Sequence, residues 1–147
     1  MTVEDIIEPI VNAMTANGDS FTFVSASEWT QNTQADGIDL PVVFLTRPHK
    51  FKPTIVSGGG YRRRYICNAL FLYKDSFENT PEQRGVIFEK ASLAQRDFHI
   101  RLDNDTDNVK DLIVNDCTEV YHLFDSDISG VMMPFTFEMK ENNSVCI

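Results

Sequence analysis

The chain has 147 residues, 42 % of them hydrophobic and 24 % charged, with a formal net charge of −9. This ordinary globular composition excludes a largely disordered chain and predicts one domain, residues 1–147, with its own core. The acidic N-terminus excludes a secretory leader, the lack of a long apolar run excludes a membrane helix, and three unpaired-looking cysteines (Cys67, Cys117, Cys146) exclude a disulfide framework.

Residues 3–16 read as an amphipathic helix. Val3, Ile6, Ile7, Ile10, Val11 and Met14 share one face, while Glu4, Asp5, Glu8 and Asn12 occupy the other. Thr2 is placed to cap it, Asn17-Gly18 to stop it in a left-handed conformation, and Pro9 to kink or tighten it. Residues 21–25 alternate as a short strand with Phe21 and Phe23 on one face. Residues 26–39 show little periodicity and read as a loop or arm. Its tryptophan, Trp29, is expected either to tuck that loop down or to serve at an interface. Residues 40–46 form a compact apolar strand.

At Arg47 the charge reverses. Residues 1–46 hold seven acids and no lysine or arginine; residues 47–74 hold seven bases and no acid; residues 75–147 hold fifteen acids and six bases. Such segregation predicts that a basic element meets an acidic surface, either another copy of the chain or another polyanion. Pro48, Pro53 and Gly58-Gly59-Gly60 argue against a regular element over residues 47–60. Residues 61–74 then form a long central strand, with Tyr65, Cys67, Ala69, Phe71 and Tyr73 on one face. The basic block thus becomes the tip of a long hairpin, an arm over residues 47–64 that projects from the body. Arg47, Lys50, Lys52, Arg62, Arg63 and Arg64, together with Trp29, are the candidate contact residues for an oligomer or partner. Arg62 and Arg64 share a face and Arg63 points oppositely.

Thr80-Pro81-Glu82-Gln83 is a capping-box start to a second helix reaching about Asp103. Ile87, Ala91, Ala94, Phe98 and Leu102 are its inward stripe. Residues 112–124 alternate as a fourth strand, residues 125–130 as a turn, and Val131, Met133, Phe135, Phe137 and Met139 as one face of a fifth. The predicted class is α+β, an antiparallel sheet of about five strands with two packed helices, in the order α-β-β-β-α-β-β.

No constellation in the chain marks a catalytic or cofactor site. Asp103, Asp105 and Asp107 open like a calcium loop but have Asn108 where glycine is needed and Val114 where a bidentate glutamate is needed. Asp125-Ser126-Asp127-Ile128-Ser129-Gly130 matches better at its start and fails at Thr136, and a turn explains its composition. His49, His99 and His122 have no zinc-site spacing. Gly58-Gly59-Gly60 followed by three arginines suits an anion, but lacks the lysine and serine or threonine of a phosphate-binding loop. The expectation is a non-enzymatic protein with no catalytic residue, metal or cofactor.

This order of elements, with residues 61–103 and the ending Val120-Tyr121-His122-Leu123-Phe124 … Gly130-Val131-Met132-Met133-Pro134-Phe135-Thr136-Phe137, resembles the tail terminator, tail completion and head–tail connector proteins of tailed bacteriophages. The likeness covers most of the chain and is one of architecture. It implies a virion structural protein of the tail or neck, made in the host cytoplasm. Its partners would be further copies of itself in a ring, hexameric or higher, other connector or tail proteins, and DNA passing through the lumen without specific binding; no membrane is implied. The alternative is a nucleic-acid-binding or adaptor domain that grips phosphates with the basic arm 47–64.

Overall fold

The computed structural model describes residues 1–27, 40–57, 60–76, 78–121 and 127–139. Helix α1 (Val3–Ala13) begins at a capping box, in which the Thr2 hydroxyl accepts from the Asp5 amide and the Asp5 carboxylate accepts from the Thr2 amide. It buries Val3, Ile6, Ile7, Ile10 and Val11 and ends before a short 3-10 turn (Ala16–Gly18) in which Asn17 and Gly18 have φ of 59° and 73°. Helix α2 (Pro81–Asn104) starts at the predicted box of Thr80 and Gln83 and buries Ala91, Ala94, Phe98 and Leu102. The small alanines let it lie close on the sheet. Asp97 of α2 accepts from the amides of Thr15 and Ala16, so the end of α1 is tied to the second helix.

The strands are β1 (Thr22–Ser27), β2 (Val42–Arg47), β3 (Lys50–Val56), β4 (Gly60–Lys74), β5 (Val109–Val114), β6 (Thr118–Val120) and β7 (Ile128–Met139). They form one sheet in the order β1-β2-β4-β7-β5, with β3 added to β4 and β6 to β7. The α+β class and the two helices agree with the sequence reading. The sheet does not: among the described residues it has seven strands and is mixed, because β1 and β2 run parallel. Parallel neighbours cannot be joined by a tight turn, and residues 28–41 supply the longer connection that this pairing needs.

Three further differences have local causes. The segment read as irregular contains strand β3, because Pro53 is tolerated on a strand that pairs along one side only. The predicted fourth strand is broken into β5 and β6. The break falls at residues 115–117; separately, a bulge lies inside β5, whose register shifts between Lys110 and Ile113, where Asp111 adopts a φ of 53°. Gly130, expected in a turn, lies within β7 opposite Leu72, and a Cβ there would stand 1.8 Å from the Phe71 carbonyl oxygen. Trp29, His122 and the first two residues of the supposed turn, Asp125 and Ser126, lie outside the described residues.

The core has two layers. Between the helices and the sheet lie Ile7, Val11, Val43, Leu45, Phe71, Phe98, Phe135 and Phe137, all fully buried. A smaller cluster on the other sheet face holds Val42, Phe44, Leu70, Leu72 and Ile128. Alternation along β2 and β4 feeds both layers, which is why those strands read as continuous apolar runs.

Candidate functional site

The basic residues converge on the β3–β4 hairpin. Lys50 to Val56 pairs antiparallel with Gly60 to Ile66 without a slip. On its other side β4 pairs with β7, among the described residues as far as Arg64 and Glu138. Among the described residues Tyr61, Arg62 and Arg63 pair with β3, as one two-stranded ribbon.

The two faces of this ribbon differ in chemistry. One face carries Phe51, Pro53, Ile55, Tyr61, Arg63 and Tyr65. It continues the aromatic core outward: Phe71, Phe98, Phe135, Phe137, Tyr65 and Phe51 are linked pairwise by ring centres 5.3 to 6.0 Å apart. At the outer end the Arg63 guanidinium lies 5.6 Å from the Phe51 ring centre and 5.5 Å from that of Tyr61. The series passes from full burial at Phe137 to 50 % exposure at Phe51 and 81 % at Ile55. Apolar surface is thus presented at the tip rather than hidden.

The other face carries Lys50, Lys52, Thr54, Arg62, Arg64 and Ile66. Arg64 reaches over β7, donating to Thr136 Oγ1 at 2.7 Å and to the Asp111 carbonyl at 3.1 Å. Arg62 stands 3.8 Å from Glu138. Among the described residues Lys50 and Lys52 make no ion pair. The predicted alternation of Arg62 and Arg64 against Arg63 is present, but the three do different work: Arg64 is a strap across three strands, and Arg63 is a lid on two rings.

The root of the hairpin is fixed to α1 by Glu4. Its Oε1 accepts from Arg47 Nε at 2.6 Å, His49 Nε2 at 2.8 Å and Ser25 Oγ at 3.0 Å. Burial would raise this carboxyl, but the hydrogen bonds from Arg47, His49 and Ser25 outweigh it and hold the group well below the usual carboxylate range. Arg47 thereby anchors the root of the arm to α1. The sequence reading did not find Glu4, Ser25 or the aromatic face. Alternation of Phe51, Pro53 and Ile55 could have shown the face; the Glu4 cluster joins segments too far apart in the chain to be seen.

Chemistry elsewhere is quiet. Burial pushes the Cys67 thiol up to about 12, with the Glu4 charge adding to it, so this cysteine packs as an apolar group. The Asp105 carboxylate accepts from the Asn108 side chain at 3.1 and 3.2 Å, which closes the turn after α2. Among the described residues no three His, Cys, Asp or Glu side chains converge as a metal site requires, and no helix is long and apolar enough to cross a membrane. No protein-family model matches the chain, and no curated protein matches it.

Proposed function

We propose that the protein is a non-enzymatic structural subunit of a tailed-bacteriophage virion, forming a closed ring in the head–tail connector or tail. The observation that carries this reading is the β3–β4 hairpin, largely apolar on one face and basic on the other, on an otherwise acidic chain. A surface of that kind is expensive to leave in water and suited to insertion against a neighbour. A basic arm and an acidic remainder are two different patches, as a head-to-tail contact requires, and head-to-tail contacts close into rings. The order of elements read from the sequence resembles that of tail terminator and connector proteins, which is what ties the ring to a virion. An acidic remainder facing the lumen would let DNA pass without sticking.

A phosphate-gripping arm is the second reading. It is favoured by the four bases on one hairpin face, and disfavoured because Arg62 and Arg64 already face partners in their own subunit. Light scattering of the purified protein, alone and with its neighbouring virion proteins, separates the two. A discrete ring-sized oligomer, seen as a ring in electron micrographs, is the expected result. A monomer under both conditions, with DNA affinity that falls steeply with salt, would replace the first reading by the second.

A further inference from the structure

The geometry points to the β5–β6 edge of the sheet as the surface that receives the hairpin of a second copy. This inference rests on the ring reading and names the acceptor within it. Across one level of the sheet Lys52, Arg64, Glu138 and Lys110 stand side by side, and across the next Lys50, Ile66, Thr136 and Ile113. Among the described residues β3 and β5 are therefore the outer strands at this level, facing away from each other and separated by about 14 Å, three strand spacings.

The two edges are opposite in sign. Residues 47–64 carry six bases and no acid, whereas residues 109–121, which hold β5 and β6, carry three acids (Asp111, Asp116, Glu119) against Lys110 alone. Each edge also presents apolar surface, on the hairpin across the ribbon from Lys50 and Lys52. On the hairpin this is Phe51, Ile55 and Tyr61; on the far edge it is Ile113, 53 % exposed, and Tyr121, 64 % exposed. The charges of the two edges are complementary, which suits them to set the register of a contact. One copy thus bears both halves of a heterologous contact on opposite edges of a single sheet.

The contact is made by side chains, not by strand addition. Pro53 and two lysines on β3 and the irregular register of β5 at Asp111 both spoil the edges as templates for backbone pairing. Those features prevent open-ended sheet growth while leaving the charges free to set register. The competing acceptor is the outer stripe of α2, Val86, Leu93 and Ile100, which is also exposed. Its charged neighbours mix Glu82, Glu89 and Asp103 with Lys90 and Arg96, so it offers a basic arm far less discrimination.

The test is a charge swap read by light scattering. Lys50→Glu with Lys52→Glu, and separately Asp116→Lys with Glu119→Lys, should each weaken self-association by about tenfold or more. All four changes in one chain should restore it. These side chains are exposed, and thermal unfolding checks that each variant is folded. As an independent measure, Ile55→Cys should be joined by a short bismaleimide to the native, exposed Cys117 of another copy. Loss of assembly on reversing the hairpin but not β5–β6, absence of rescue, or no 55–117 link would overturn this acceptor while leaving the ring intact. A wild-type monomer would instead remove the ring reading itself.

Discussion

The carboxylate of Asp75 sits where β4 ends and the lead into α2 begins, with no solvent contact of its side chain. It accepts from Ser129 Oγ at 2.6 Å, the Ser76 amide at 2.7 Å, Asn79 Nδ2 at 2.7 Å and Arg84 Nε at 3.1 Å. Burial alone would raise its pKa, yet these donors bring it from the ordinary 3.8 down to about 2. A depressed carboxyl stabilises the fold above its unfolded value and loses that contribution as the pH falls through the folded one. Asp75→Asn should therefore cost about 2 kcal/mol at neutral pH, since it leaves the partly buried Arg84 without its countercharge. The gap between wild type and variant should close between roughly pH 4 and pH 2. Urea unfolding at several pH values measures it, and a gap independent of pH would show that the charge of Asp75 is not what holds the joint. Nothing in the sequence around Asp75 announces this, because Ser129 lies 54 residues away.

At the scale of elements, legibility follows the range of the interactions. Both helices were readable because their stripes and caps are encoded within a few residues, as at Thr80-Pro81-Glu82-Gln83. Strand β3 was misread because Pro48, Pro53 and the glycines carry the same local signal on an edge strand as in a loop. The parallel pairing of β1 with β2 depends on contacts outside both strands and left no mark in either. The basic residues of the arm were legible by position and charge, but not their division between a strap, a lid and an anchor. Gly130 shows the same limit. Its neighbourhood reads as a turn, yet its role is to let β7 approach β4 where a Cβ would collide with backbone. Gly130→Ala should destabilise the protein by at least about 2 kcal/mol, because two paired strands must separate locally to admit one methyl group. Chemical denaturation checks this, and a neutral effect would mean that the β4–β7 contact yields easily.

For the whole molecule the decisive property is that charge is both unbalanced and segregated. Two copies with a net charge of −9 each repel at long range, whereas a basic edge meeting an acidic edge attracts at short range. Salt separates the two because the screening length is about 30 Å at 0.01 M, about 8 Å at 0.15 M and about 3 Å at 1 M. At the lowest salt the repulsion acts across whole subunits and opposes assembly. Near physiological salt that repulsion is screened over a subunit's width, while pairs in contact still interact. At molar salt the pairs weaken too, leaving the apolar centres of Phe51, Ile55, Tyr61 and Ile113. Self-association should therefore pass through a maximum near 0.1–0.2 M salt, in contrast to nucleic-acid binding by the same arm, which would fall monotonically from the lowest salt. Light scattering across a salt series at fixed protein concentration distinguishes them. A steady rise to 1 M would assign the contact to apolar surface alone, and then the reversal of sign at Arg47 would have no part in bringing the copies together.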